Sequence, residues 1–426
     1  MKSTLSYDSR WLRLDNAGKI YPVVATEKNS GVFRVAAIMD SSVDPILLTH
    51  AVMDCKERFP SFYVKLREGL FWFYYEPNEL PPLIQKERPY ICDKMNTHQN
   101  NGYLFNFFYY ENRIALEVFH SLSDGTGAFV LLKAVIARYL ELSGINILND
   151  GSLLQLEDRP TKEELEDSYN ALYTKKKASK FSNIRAYRMK GTKFRAPGGI
   201  GLIHATVNTT DLRALAKKYD VTISQYLVAL LNYAIVKTGD FKKLAKHPIR
   251  SSVPVNMRRF LYSQSLRNFS LFFNTTLYAT HQDMSFDEVL KSIKAQFEKE
   301  LTQERLQDRL NVNVAFEKNF FIKILPLAVK KLLFKIGYVI IGHRPSTISL
   351  TNFGPIELPK TMVPYVKGFE FNLASGHKPG VAVNTYHGKT KIIFNRPYRE
   401  TDLERFFIRQ LSDEGLHVTI DTNHWQ

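Results

Sequence analysis

A mixed α/β fold in two lobes is what this sequence predicts, on three observations. The chain of 426 residues is 44% hydrophobic and 13% aromatic, more apolar surface than one ordinary domain buries. Runs rich in aromatic and β-branched residues alternate with stretches of helical apolar spacing. A polar, charge-rich interval separates two such sets.

Strand-like runs occupy residues 61–66, 70–75, 103–110 and 113–119, divided by Pro, Asn and Gly. Helix 126–144 follows directly on the last of them, with apolar residues at helical spacing and Gly144 at its exit. From about 147 to 199 the pattern dissolves into charged sequence and a Pro197-Gly198-Gly199 turn. The predicted division is therefore a first lobe at 1–165, a connection at 166–200 and a second lobe at 201–426.

The second lobe opens with strand 202–210, whose Thr210 and Asp211 are suited to cap a helix at 211–219. Thr222 and Ser224 precede helix 224–238, and strand 249–257 comes next. A long charged helix is expected at 285–307 and an apolar, basic one at 319–337, with strands at 347–353 and 379–394. In the basic helix, Lys323, Lys330, Lys331 and Lys335 fall in one broad arc, the pattern of a buried helix with solvated lysines. A sharper reading is contact with lipid or the mouth of an acyl channel, since basic amphipathic helices favour membrane interfaces; Pro326 interrupts both pictures.

Lys and Arg number 58 against 42 Asp and Glu, a formal charge of +16. Such a field attracts phosphates, acidic proteins or anionic lipid. The excess is spread through several segments rather than drawn into a stripe interleaved with aromatics, so a nucleic-acid groove is not expected. Cys55 and Cys92 are the only cysteines, too few for a disulfide framework or a cysteine-rich zinc site. No stretch reaches the roughly 18 apolar residues of a membrane span, and the first residues lack the apolar run of a signal peptide. A cytoplasmic protein is the expectation, with contact at a membrane surface as a variant of it.

Chemistry concentrates where the 113–119 strand meets the helix, at Phe119-His120-Ser121-Leu122-Ser123-Asp124-Gly125-Thr126-Gly127. An imidazole at a rigid strand end keeps a fixed direction, and its near-neutral pKa suits a general base. Asp124 can accept backbone N–H bonds or pair with an arginine, and Gly125 and Gly127 tolerate turn conformations barred to other residues. Ser121 and Ser123 invite a hydrolase reading, but no G-x-S-x-G elbow occurs. The other ten histidines are scattered without metal-ligand spacing, so no metal is expected.

This H-x-x-x-D-G arrangement resembles the signature of the CoA-dependent acyltransferase superfamily, which includes chloramphenicol acetyltransferase, plant BAHD enzymes, condensation domains and alcohol acetyltransferases. The resemblance extends to 216–235, which look like the helix pair opening the second lobe, to 253–260 as its arginine-bearing strand, and to Asn268-Phe269 and 281–290. Residues 349–359 look closest to the alcohol acetyltransferase branch; Asn352 and Pro355 stand where the plant D-F-G-W-G motif has Asp and Trp. Phe119 replaces the second histidine usual in condensation domains.

The resemblance implies two chloramphenicol-acetyltransferase-like lobes with an active-site tunnel between them. It implies His120 as general base, no bound cofactor, and acyl-CoA or an acyl carrier thioester as co-substrate. It further implies a structural salt bridge from Asp124 beside Gly125 to Arg258, with Arg259 as the fallback. Ser349, Thr351 and Asn352 are candidates for an oxyanion or tunnel region. The expected reaction is transfer of an acyl group, acetyl by analogy, from acyl-CoA to an alcohol. A carrier-protein-dependent or amide-forming condensation is the alternative, in which the basic surface docks an acidic carrier and the acceptor is an amine. A non-catalytic binding protein of the same fold is a third reading.

Overall fold

Three sheets are built by the residues that the computed structural model describes, 11–27, 29–175, 184–194, 199–337, 345–373 and 378–423. In chain order the first lobe runs β1 (Leu12–Arg13), α1 (Tyr21–Val24), β2 (Val32–Met39), α2 (Pro45–Asp54), β3 (Val64–Glu68), β4 (Phe73–Pro77), β5 (Ile84–Lys86), β6 (Phe105–Tyr110), β7 (Arg113–Phe119) and α3 (Gly125–Leu142). Helices α4 (Lys162–Leu165) and α5 (Ser168–Ala171) lead to β8 (Gly201–Asn208), α6 (Thr209–Lys218), α7 (Ile223–Thr238), α8 (Phe241–Leu244), β9 (Ile249–Asn256) and β10 (Ser270–Leu277). Then come α9 (Phe286–Glu300), α10 (Gln303–Lys318), α11 (Phe320–Ile324), α12 (Leu327–Gly337), β11 (Ile348–Pro355), β12 (Val366–Asn372), β13 (Gly380–Tyr386), β14 (Lys389–Arg396), α13 (Asp402–Asp413) and β15 (Thr419–Thr422).

The first lobe is a sheet ordered β12-β2-β7-β6-β5. Strand β7 is buried along nearly its whole length because helices α2 and α3 cover the sheet. The second lobe is a sheet ordered β10-β9-β11-β13-β14-β8-β15, packed on α7, α9 and α13. Each lobe has its own large hydrophobic cluster, as expected of two mixed α/β units. Sequence order and lobe membership part company at β12, which pairs antiparallel with β2 in the first-lobe sheet, Phe371 opposite Val35.

Side chains of α4 and α5 tie the connecting stretch to the two lobes. Arg58 grips Glu164 through two bonds of 2.6 and 2.8 Å, and Tyr169 of α5 is wholly buried in the second core.

Several local expectations differ from what the chain does. Asn208, not Thr210 or Asp211, caps α6, accepting from Thr210 N and Asp211 N; the carboxamide lies earlier in the chain and meets the first free N–H groups. The charged stretch at 285–307 is not one helix: Thr302 caps a new one, accepting from Arg305 N. Residues 319–337 are likewise two helices broken before Pro326, as the residue preceding a proline disfavours helical geometry. They do not form a buried helix with solvated lysines. Lys330 is 1% exposed whereas Phe321 is 73% and Leu332 62% exposed.

Candidate active site

His120 follows the last residue of β7, where its backbone N–H donates to Gly31 O at 2.8 Å. Tyr21 of α1 stacks flat on the imidazole, centroids 4.5 Å apart and planes 5° from parallel. Phe33 of β2 presents its edge at 5.0 Å. From the other lobe, Asn268 Oδ1 lies 3.0 Å from His120 Nδ1. That amide is oriented by its other end, since Asn268 Nδ2 donates to Asp15 Oδ2 (3.2 Å) and Ser121 O (3.3 Å). The oxygen therefore faces the ring, Nδ1 carries the proton, and Nε2 holds the lone pair a base needs.

Burial holds the His120 pKa below its ordinary value, opposed by the Asp124 charge and the Asn268 hydrogen bond. The ring is thus neutral at pH 7. Behind Asn268, Asp15 is fully buried, accepts from Gly18 N at 2.6 Å and lies 3.7 Å from Arg267 Nε. Burial pushes its carboxyl up to about 6 in spite of that arginine.

Asp124 is held by four N–H groups. Its Oδ1 caps α3, accepting from Thr126 N and Gly127 N at 3.1 and 3.2 Å. Its Oδ2 accepts from Arg258 Nη1 and from Phe269 N, both at 2.8 Å. Arg258 also donates from Nε to Ser265 O at 2.9 Å. The neighbouring Arg259 turns to Phe353 O at 3.5 Å instead.

Two further bonds join the lobes at the same junction. Ser123 Oγ donates to Leu266 O at 2.6 Å and Asn256 Nδ2 to Thr126 Oγ1 at 3.2 Å. The Ser123 hydroxyl is thereby spent on structure.

The glycines serve a different purpose from the one expected of them. Neither Gly125 nor Gly127 has a positive φ, so neither is demanded by a turn conformation. A Cβ on Gly127 would stand 2.0 Å from Leu266 O and 2.2 Å from Ser123 Oγ, so close approach of the second lobe excludes any side chain there. One on Gly125 would find its nearest neighbours at ordinary contact distance, Phe371 at 3.4 Å and Phe353 at 3.7 Å.

Ser349, Thr351 and Asn352 lie on β11, between β9 and β13. Among the described residues none of the three hydrogen-bonds to His120. Asn352 is already engaged: Nδ2 donates to Ser224 Oγ (2.9 Å) and Oδ1 accepts from Gly354 N (2.9 Å). Burial pushes the Cys55 thiol up to about 12 and Cys92 well above its ordinary value, which leaves neither as a thiolate nucleophile. No group of three or more His, Cys, Asp and Glu among the described residues is arranged to hold a metal ion. A cleft lined by Tyr187, Lys243, Arg396 and Tyr398 in the second lobe does not include His120.

Tyr21, Phe33 and Asp15 have no signature in the sequence, because they lie far from His120 along the chain and reach it only through folding. Asn268 carried one signal, its place in a segment resembling condensation-type sequences, but not its partner.

No family model and no curated protein matches the sequence. Solved structures do. Polyketide synthase associated protein 5 from Mycobacterium tuberculosis is similar at 14% identity and a TM-score of 0.62, over 94% of this chain and 96% of that one. A trichothecene 15-O-acetyltransferase from Fusarium sporotrichioides is similar at 10% identity and a TM-score of 0.59, over 97% and 96%. The starter condensation domain of rhizomide synthetase, solved with C8-CoA, is similar at 11% identity and a TM-score of 0.60, over 96% and 98%. With its two lobes, its mixed sheets and these likenesses, the chain has the fold of the CoA-dependent acyltransferases.

Proposed function

We propose that this protein is an acyltransferase that moves an acyl group from acyl-CoA to an alcohol, with His120 as general base. The observation that carries the reading is the fixed, neutral imidazole at the junction of the lobes, with Nδ1 tied to Asn268 and its pKa held down by burial. In the proposed reaction Nε2 takes the acceptor hydroxyl proton as the oxygen attacks the thioester carbonyl. The tetrahedral intermediate then collapses, the C–S bond breaks, and the proton passes from Nε2 to the leaving thiolate. Binding both substrates in a tunnel between the lobes lowers the entropic barrier. Asp124 and Arg258 hold the lobes together around the base and do not touch the reacting atoms. Ser349 and Thr351 remain candidates for the oxyanion region, which needs a donor in a dry site; the acyl group, acetyl by analogy, and the cytoplasmic setting belong to the same proposal.

A second reading is supported by the formal +16 charge and by the likeness to a condensation domain and a polyketide synthase associated protein. In it the donor is an acyl group on an acidic carrier protein docked to the basic surface.

The test is thiol release from acetyl-CoA and octanoyl-CoA across a panel of alcohols and amines, by the wild type and by His120→Ala. Acceptor-dependent release that the substitution abolishes is the expected result. A folded wild type inactive with every CoA donor but active with an acylated carrier, in a salt-sensitive way, moves the reading to the second one. Inactivity with both donors leaves a non-catalytic binding protein, and release unaffected in His120→Ala removes this residue from the mechanism.

A further inference from the structure

The segment 318–337 contains five lysines and no acidic residue. Helix α11 packs on α10 and helix α12 on α1, and one face of α12 turns inward. Leu327 is buried and its N–H donates to Leu70 O at 2.9 Å. Lys330 Nζ sits 3.9 Å from the centroid of Trp72 and donates to Phe71 O and Lys323 O at 3.0 and 3.1 Å. Phe334 stacks on the same Trp72. With the inward face assigned to Leu327, Lys330 and Phe334, helical spacing sends Val329, Leu332, Leu333 and Ile336 outward over an arc of about 100°. All four are exposed.

The apolar surface continues past the helix. Phe320 and Phe321 of α11 are 67% and 73% exposed, and Leu70 and Phe71, on the β3–β4 connection beneath, are 72% and 44% exposed. Lys331 and Lys335 flank the α12 arc on one side and Lys323 stands among the α11 aromatics. The nearby acids are already paired, Glu68 with Lys331 and Glu317 with Lys19. A contiguous apolar patch of this kind marks a contact surface. Its charge discriminates among occupants. A second copy of the same face would bring lysine against lysine, whereas a layer of headgroup phosphates over an acyl phase matches both the cations and the apolar arc.

We propose that this face docks on an anionic phospholipid bilayer, with Phe320, Phe321, Leu332 and Leu333 entering the acyl boundary and Lys323 and Lys335 meeting headgroup phosphates. Helix α12 packs against α1, whose Tyr21 stacks on His120, so the docking helix is joined to the candidate site through α1. The docking stands on the surface alone and holds whether or not His120 catalyses acyl transfer.

Co-sedimentation of the full chain with vesicles tests it, using phosphatidylcholine alone and phosphatidylcholine mixed with phosphatidylglycerol. Partition onto the anionic vesicles is expected to exceed that onto the neutral ones by roughly thirtyfold, from two unpaired lysines near the surface, and to weaken as salt rises. Lys323→Glu with Lys335→Glu should abolish the preference for anionic lipid, and Phe321→Ser with Leu333→Ser should release the protein from both vesicles. A thermal melt of each variant establishes that it is folded, and the two pairs rest on different side chains. Absence of binding by the wild type to anionic vesicles overturns the proposal, as does binding that neither pair changes. A wild-type dimer in analytical ultracentrifugation that Phe321→Ser dissociates also overturns it, since a second copy then covers the face.

Discussion

Replacing Arg258 by Met removes the cation bonded to Asp124 and leaves a carboxylate whose side chain is 4% exposed. Three N–H partners survive, Thr126, Gly127 and Phe269, but Ser265 O loses its bond from the guanidinium. Stripping one member of a buried ion pair costs about 3–5 kcal/mol, because the remaining charge stays desolvated. On a urea slope near 3 kcal/mol/M, the upper value for small proteins, a loss of about 4 kcal/mol lowers the unfolding midpoint by roughly 1 M. Urea titration followed by far-UV circular dichroism and by tryptophan fluorescence measures it. Asp124→Asn alone should cost a similar amount, since its amide points a donor at Arg258 and at Phe269 N–H. The double variant should be less destabilised than the two losses summed, by at least about 1 kcal/mol. A midpoint in Arg258→Met within roughly 0.3 M of the wild type, a loss of under about 1 kcal/mol, would refute the assignment of this pair as the latch between the lobes.

Other consequences are open to direct measurement. The acid limb of kcat/KM against pH should fall below the ordinary histidine value, because burial favours neutral His120, and activity should be flat at neutral pH. In Asn268→Leu, which loses the partner of Nδ1–H that favours the charged ring, the limb should move lower still while kcat drops; a limb that stays in place counts against the Asn268 contact. Asp15 ionises less readily in the folded chain, about 6 against an ordinary 3.8. Its contribution is therefore fully present below pH 3.8 and lost as pH rises through 6. Asp15→Asn removes that dependence, so its stability relative to wild type should climb by up to ~3 kcal/mol between about pH 4 and 7, as denaturant titrations at both pH values would register; a parallel pair of curves contradicts it. Gly127→Ala, with its Cβ 2.0 Å from a backbone carbonyl, should cost about 3 kcal/mol or more. Gly125→Ala should cost less than about 1 kcal/mol, and equal melting shifts for the two would be wrong for this geometry.

Fold class was legible from the chain alone, because hydrophobic periodicity is local and both lobes repeat it. Strand β7 and helix α3 were legible nearly to the residue: one is a continuous apolar run, and the other opens on a side chain, Asp124, that can cap only the helix after it. The pairing of Asp124 with Arg258 was legible only through resemblance, since no periodicity links positions so far apart.

Strands β2 and β12 gave no clean signal, and long-range packing settled them. Strand β2 is buried on both faces, so it lacks alternation, and β12 joins the other lobe's sheet across a large separation in sequence. The surroundings of His120 were settled in the same way. Tyr21, Phe33 and Asn268 meet it, and Asp15 backs Asn268, because β2 lies beside β7 and the second lobe closes on the first, and contacts of that kind leave no period in a sequence. The α12 face was misjudged for a related reason. The spacing of its lysines shows that the helix has sides, but only Trp72, supplied by a distant hairpin, determines that Lys330 is the residue turned inward and the leucines are the ones left facing out.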